Sequence, residues 1–403
     1  MRQRRVVVIG AGVVGVVTAE ALCDQGYAVT VVERNSEPAA STSAGNAGQL
    51  CGAFCLPFGA PGFLPSFLKK SFAGLGVGMS PGDVLANVRW LAGFMKNCGR
   101  DAFLRNSEAM LRLAHESVDA LAALLGRHPL DFDYRKNCGK LYLYDSPDAL
   151  ESENLLLQLR RRVGYDVRVA SESECKDIEP LLAGSKYRFS GGVYASDSSV
   201  GNCAVFTRKL AQRLAEQGVV FRYESAAENL VCSRGKVQGV SLREGVIDAD
   251  IVVLASAVGT RALLPRSLRA RFPVAPLKGY SVTLPLSGAG PRGTITDARR
   301  AVAFSVLGNQ FRITGGAYLA SSSSARGPQL DRILRVAQDW FPAAADYASG
   351  RTKGWAGLRP VTPASAPYIG HTGLPGLYIN TGHGGFGWTC AAASARRLVA
   401  AID

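Results

Sequence analysis

The sequence predicts an α/β fold of two lobes: a discontinuous lobe on a parallel sheet, interrupted by an α+β lobe whose sheet is largely antiparallel. Three observations predict it. Residues 5–10 (RVVVIG) are a β-branched run that passes through a glycine-rich turn into an apolar helix pattern, and 28–33 (AVTVVE) reads as the next strand, completing a βαβ unit. Far downstream, YSVTLPL, RRAVAFSVL and QFRITGG alternate polar and apolar residues across 276–316, with Gly and Asn turns between them. The chain's 403 residues also exceed what a single hydrophobic core organises.

The elements follow in order. The first strand is apolar without alternation, as expected where both faces of a parallel sheet are covered. A helix over Val13–Gln25 is stopped by Gly26. Residues 41–82, rich in Gly, Pro, Ser and Phe, read as loop with short pieces. Helical patterns cover about 84–98, 102–125 and 149–163, with a strand at 141–144 (LYLY). The turn-rich 190–201 (SGGVYASDSSVG) leads into a helix over Cys203–Gln217, which Gly218 closes before the strand VVFRYE. Strands at 236–243 and 246–254 and a helix over Asp331–Trp340 precede a final strand, glycine loop and helix in GLYINTGHGGFGWTCAAASARRLVAAI. The expected division assigns 1–100, 186–266 and 346–403 to the cofactor-binding domain, and 101–185 and 267–345 to the substrate domain.

Charge and composition narrow the function. Hydrophobic residues make up 47% and charged residues 19%, the balance of a folded soluble chain. Lys and Arg number 46 against 32 Asp and Glu, a net charge of +14, which favours anionic partners. No basic block carries interleaved aromatics, so nucleic acid is disfavoured; a solvated basic surface comes first and an anionic membrane surface second. The nine cysteines are scattered without a CxxC pair, and four histidines without HExxH propose no metal site. Reduced thiols imply a cytoplasmic setting. The run from Arg2 to Arg5 leads into an apolar stretch too short for a signal peptide, and no stretch is long enough to span a bilayer. Any membrane association, at the inner membrane, is expected to be peripheral.

Gly10, Gly12 and Gly15 stand after a buried strand and open a helix, where a dinucleotide fingerprint belongs. Gly10 allows the tight turn, Gly12 lets the backbone approach a pyrophosphate, and Gly15 lets the helix pack closely. Glu33, at the end of the second strand, is placed to accept from ribose hydroxyls and argues for a free 2′-OH. NAD and FAD both fit such a motif. FAD is favoured because helices and an irregular stretch interrupt the sheet, and because a second glycine-rich strand-to-helix turn near the C-terminus suits a flavin ring.

The motifs VVVIGAGVVGVVTAEAL with VVER, STSAGNAGQL, PLKGYSVTLP, WAGLRPVTPASAPYIG and LYINTGHGGFGWT together resemble the D-amino-acid oxidase superfamily of FAD enzymes. Within it, the chain is most like the bacterial D-amino-acid dehydrogenase of the small-subunit type. The resemblance implies oxidative deamination of a small D-amino acid by hydride transfer from Cα to flavin N5, with electrons passed to a quinone or respiratory-chain acceptor. Alternatives are an amine oxidase using O2, of the glycine/sarcosine or D-proline/hydroxyproline type, and an FAD enzyme acting on a tRNA base.

The same resemblance implies roles for individual residues. Arg359 would pair with the substrate α-carboxylate, a bidentate fit that fixes the Cα–H direction. Glu33 and Arg34 would meet the cofactor at the second strand. Ser41, Thr42, Ser43, Asn46, Ala47 and Gly48 would wrap the pyrophosphate and flavin edge, and Gly382, His383, Gly384, Gly385, Gly387 and Trp388 would form the C-terminal flavin loop. His383 is expected to be a loop residue rather than an acid or base, because hydride transfer requires no enzymic base. Tyr280 is a second candidate beside the substrate, balanced against a packed strand tyrosine. The stretch FCLPFGAPGFLPSFLKK is expected to be an active-site loop packed on the second lobe, with a membrane or quinone contact as the alternative. Cys51 and Cys55 depart from the family's pattern in that loop.

Overall fold

In a computed structural model, residues 3–325, 327–348 and 353–402 are described; Arg2 of the basic N-terminal run lies outside them. The chain builds two large sheets facing each other across a cavity. The first has six strands in the order Tyr368–His371, Leu377–Thr381, Ile251–Leu254, Arg5–Ile9, Ala28–Val32, Val220–Arg222. All pairs are parallel except the antiparallel edge strand Tyr368–His371.

Both faces of this sheet are covered, which explains its continuous apolar strands. Val6, Val8, Ile251 and Val253 pack under the helices Val13–Asp24, Cys203–Glu216 and Gly387–Ala400. The alternate residues Val7, Ile9, Val252 and Leu254 pack against a three-stranded antiparallel layer, Asn229–Ser233, Lys236–Leu242 and Gly245–Asp248. Each such buried side chain contributes about 1.5–3 kcal/mol.

The second sheet has nine strands, ordered Lys353–Val361, Ala275–Pro285, Gln310–Leu319, Val302–Leu307, Thr294–Asp297, Lys140–Tyr144, Gly191–Ala195, Val167–Ser171, with Val77–Met79 added beside Gln310–Leu319. Its first five strands pair antiparallel, as their alternation requires. One face, with Tyr280, Val282, Phe304, Phe311 and Ile313, packs against the helix Gly327–Trp340. The opposite face of these strands looks into the cavity, whereas at the other side of the sheet Tyr144, Val167, Val193 and Ala195 pack with Leu111, Leu157 and Tyr165.

Several expectations are corrected. The segment 190–201 is more than turns: Gly191–Ala195 pairs with strands on both sides. Its glycines read as turn residues, yet a Cβ on Gly192 would lie 2.9 Å from Tyr142 O, so here they permit close strand packing. The expected strand 246–254 is two, Gly245–Asp248 in the small layer and Ile251–Leu254 in the parallel sheet. The chain changes layers at Asp250, whose carboxylate accepts from Arg5 N at 2.7 Å. The loop 41–82 contains the helix Phe63–Phe72, and 84–98 is divided into Pro81–Ala86 and Val88–Asn97.

The lobe division shifts accordingly. Gly191–Ala195 and Lys353–Val361, expected with the cofactor domain, belong to the nine-stranded sheet. The helix Arg100–Arg127, expected in the substrate domain, buries Ala120 and Leu124 in the core of the parallel-sheet lobe. Sequence adjacency misplaces all three, because each reaches its layer through long-range pairing.

Candidate active site

The cavity between the sheets has a volume of about 730 Å³ and runs from Gly10, Gly12 and Glu33 of the parallel-sheet lobe to the wall of the large sheet, which contributes Lys140, Thr296 and Arg359. At its first end the glycine turn is sterically compulsory. Gly10 has φ +110°, and a Cβ on Gly15 would fall 1.8 Å from Gly10 O. The helix Val13–Asp24 has no side-chain cap at Gly12, although Val13 N donates to Ser43 Oγ at 3.1 Å. Its positive end therefore faces the cavity, as a pyrophosphate site requires.

Glu33 organises this end. One carboxylate oxygen accepts from Ala11 N at 2.8 Å and the other from Asn35 N at 2.9 Å, tying the glycine turn to the strand end. The carboxylate has acceptor capacity left for a ribose hydroxyl. Arg34, next to it, is exposed on the rim.

The loop 41–48 is held from the opposite lobe. Thr42 Oγ1 donates to Leu358 O at 2.8 Å, and Arg312 Nη1 donates to Ala44 O at 3.1 Å and Asn46 O at 3.0 Å. Ser41, Thr42, Ser43, Asn46 and Ala47 line the cavity, whereas Gly48 lies behind the wall with φ +76° and its α-carbon against Leu307. Arg312 went unnoticed in the sequence, where a strand arginine carries no special signal.

At the C-terminal loop, Gly384, Gly385 and Gly387 line the cavity and Gly382, with φ +88°, makes the turn behind them. The helix Gly387–Ala400 begins here without a side-chain cap, so a second helix N-terminus meets the cavity. His383 is buried, its Nε2 lies 3.1 Å from Ser394 Oγ, and desolvation pushes its pKa down to about 3. It is neutral at physiological pH. Trp388 borders the cavity at the helix start, but its indole lies in the core against Phe132 and Phe206 and donates to Gly201 O at 3.2 Å.

Arg359 projects from the strand Lys353–Val361 across Gly279. A Cβ on Gly279 would lie 2.2 Å from the guanidinium, so the glycine of LKGYS is the floor on which Arg359 rests. Nη1 donates to Gly316 O at 2.9 Å, and among the described residues no carboxylate pairs with the group. Desolvation pulls its pKa down to about 10, which leaves it charged at neutral pH. A guanidinium with donors to spare on a cavity wall has the chemistry to receive a carboxylate.

Tyr280 is not beside it. Strand alternation turns Tyr280 to the far face, into the core with Val282 and Phe304 and edge-on to Tyr318 at 5.8 Å. The cavity face presents instead a cross-strand row that includes Tyr142, Thr296, Thr314 and Trp355, joined by register through Ala303 and Ser281. Lys140 and Gln49 complete this wall. The alternation in KLYLY was readable; which face it turned to the cavity was not. Phe54 packs face to face with Tyr142, ring centres 5.1 Å apart, so the start of FCLPF does belong to the site. Cys51 and Cys55 are buried thiols whose pKa burial raises, Cys51 Sγ lying 2.8 Å from Ser198 Oγ.

One cavity thus holds a glycine turn with an uncapped helix start, and a second uncapped helix start whose glycine loop lies beside the Arg359 guanidinium. The comparisons give the family: the FAD-dependent oxidoreductase model matches residues 5–401, and the chain belongs to this family. It is 37% identical over 403 residues to D-amino acid dehydrogenase from Cereibacter sphaeroides, covering 99% of this chain and 92% of that one. The protein of the same name from Allorhizobium ampelinum is 36% identical, covering 98% and 93%. Among solved structures, glycine oxidase from Bacillus cereus aligns with TM-score 0.75 at 21% identity, covering 99% of this chain and 97% of that one. L-proline dehydrogenase from P. horikoshii aligns with TM-score 0.75 at 18% identity, covering 100% and 93%. These two likenesses show the fold.

Proposed function

We propose that the chain is an FAD-dependent D-amino-acid dehydrogenase, which oxidises the Cα–N bond of its substrate and passes the electrons to a quinone or respiratory acceptor. The observation that carries the reading is Arg359, a desolvated cation with free donors and no carboxylate partner among the described residues. An α-carboxylate held there has two oxygens fixed and hence one direction for its Cα–H bond. FAD, when bound, supplies the two-electron acceptor. Gly12, Ser43 and Glu33 would hold its pyrophosphate and ribose, and the uncapped start of Gly387–Ala400 would face its ring. Neutral His383, hydrogen-bonded to Ser394, holds the loop in place and takes no proton from the substrate at physiological pH.

The names of the relatives support the D configuration and the dehydrogenase assignment. For the acceptor, the helix Phe63–Phe72 buries none of its residues, and Leu64, Leu68 and Phe72 are exposed beside Lys69. Leu85 and Val88 are exposed as well, with exposed Arg89 following in sequence. Apolar residues rimmed by cations, on a chain of net charge +14, suit a peripheral contact with an anionic membrane face where quinone resides. No helix of the described residues is long and apolar enough to cross a membrane.

The test is anaerobic bleaching of the purified yellow protein by matched D- and L-amino acids, followed by reoxidation with a quinone or with air. Bleaching by D-amino acids and faster reoxidation by quinone are expected. Bleaching only by L-amino acids would overturn the stereochemical assignment, and equal reoxidation by air would make the protein an oxidase.

A further inference from the structure

Five threonines line the cavity, and they are of two kinds. Thr42, Thr381 and Thr389 each donate to a carbonyl, on Leu358 at 2.8 Å, Ala257 at 3.3 Å and Gln49 at 3.3 Å. Thr296 and Thr314, both on the large sheet, carry hydroxyls with no hydrogen-bond partner among the described residues. Thr314 is only 6% exposed. A buried hydroxyl without a partner is a cost that a ligand can remove.

Of the two, Thr314 stands beside Arg359. Phe311 and Ile313 of its strand turn into the core, so Arg312 and Thr314 share the other face. The Arg359 side chain starts opposite Leu277, but its guanidinium runs back over Gly279 and donates to Gly316 O at 2.9 Å. Gly316 follows Thr314 on the same strand, two residues or about 7 Å away. Ser281 pairs with Thr314 in register, which makes Gly279 the diagonal neighbour of Thr314. The guanidinium therefore lies over two positions that both adjoin Thr314. Thr296 is set two strands further off, beyond Ala303.

On the other side of Thr314, Arg312 holds Ala44 O and Asn46 O of the loop 41–48. Thr314 thus stands between the anchor of that loop and the guanidinium. The acidic side chains that line the cavity, Glu33 and Glu228, belong to the parallel-sheet lobe. Beside Arg359, the group placed to meet a nitrogen is a neutral hydroxyl.

We propose that Thr314 is a substrate-binding residue whose hydroxyl oxygen accepts an N–H of the α-nitrogen while Arg359 holds the α-carboxylate. The nitrogen rests on the amino-acid reading given above; the second polar anchor rests on Thr314 itself. A neutral hydroxyl takes no proton from the amine, so the nitrogen lone pair stays free to form the C=N bond as hydride leaves Cα. With carboxylate and nitrogen both held, D and L substrates differ by the exchange of hydrogen and side chain, so the second anchor also serves the choice between them.

Two measurements on the FAD-loaded protein test this. In the first, kcat/KM is measured for the most reactive D-amino acid and its L enantiomer in the wild type, Thr314→Val and Thr314→Ser. Valine keeps the branched shape and loses the hydroxyl. The D value is expected to fall roughly 10- to 100-fold at unchanged flavin content and the D:L ratio to narrow, with serine restoring most of both. A wild-type value in Thr314→Val overturns the proposal, and so does a loss that serine does not restore.

In the second, D-lactate and propionate are titrated into the wild type and Thr314→Val, with flavin absorbance and Tm as readouts. The two acids differ by one hydroxyl at the position of the amine. The wild type is expected to bind D-lactate about three- to tenfold more tightly and the valine variant to bind both alike, with propionate affinity kept in Thr314→Val and lost in Arg359→Ala. No preference in the wild type, a preference that survives in Thr314→Val, or an equal loss of both acids in that variant overturns the anchor whichever amino acids react. If the preference is present and valine removes it while no amino acid bleaches the flavin, the anchor at Thr314 holds and the amino-acid reading fails.

Discussion

The two ends of the cavity are built by different means. At the dinucleotide end the key contacts are local: Gly10, Gly12, Gly15 and Glu33 lie within one βαβ unit, and Glu33 closes onto Ala11 at 2.8 Å. Along the wall made by the large sheet, Lys140, Thr296, Thr314 and Arg359 come from four strands spread over more than half the chain and share the cavity only through sheet register. The first end is a motif and the second is an assembly. Damage should therefore separate them: cofactor retention at one end, substrate handling at the other.

The largest expected effect lies at the assembled end. Arg359→Ala should retain flavin and lose roughly two to four orders of magnitude in kcat/KM, equivalent to about 2–5 kcal/mol for an unanchored charged partner. Arg359→Lys should recover part of it, because a point charge cannot reproduce the planar fork. Steady-state kinetics at matched flavin content check both. Activity within a few-fold of wild type would place the carboxylate anchor elsewhere.

Next comes Gly279→Ala, which changes no charge. The added methyl would sit 2.2 Å from the guanidinium, so Arg359 must move from its floor. Displacement of about 1 Å in a positioning group costs on the order of 100-fold, and the loss should appear in kcat/KM while flavin content stays normal. A wild-type rate would show that the guanidinium has room to relax.

At the local end, Glu33→Ala should weaken flavin retention by roughly 1.5–3 kcal/mol, the value of a hydrogen bond to a charged group. Because Glu33 also holds Ala11 N and Asn35 N, a lower Tm should accompany the loss. Dialysis followed by absorbance per protein measures the first and a thermal melt the second. Full retention would remove Glu33 from the cofactor site.

The smallest effect concerns His383, which belongs to neither end's binding groups by charge. Its folded pKa is lowered from 6.5 to about 3, so between these values the unfolded chain binds a proton that the folded chain does not. Its contribution to stability is complete above about pH 6.5 and is lost as pH falls toward 3. His383→Gln should flatten that part of the Tm profile; an unchanged slope would mean that the imidazole already titrates in the folded state.

From the sequence alone, the βαβ unit, its glycines, Glu33, the C-terminal strand, loop and helix, and the antiparallel run 275–319 were legible. Each is written in residues a few positions apart, where steric demand on glycine, helix period and strand alternation act directly. Arg359 was singled out through its neighbouring motif residues, and the structure puts it on the cavity wall. Tyr280 was left between two readings, since alternation shows that a strand has two faces without showing which one a distant helix will cover; the structure packs it in the core. Lys140, Gln49 and Arg312 were missed for the same reason, and the strand Gly191–Ala195 was taken for a turn. Only the tertiary structure decided these, because the helix Gly327–Trp340 claims one face of the strands Ala275–Pro285, Val302–Leu307 and Gln310–Leu319 and thereby turns their alternate residues away from the core.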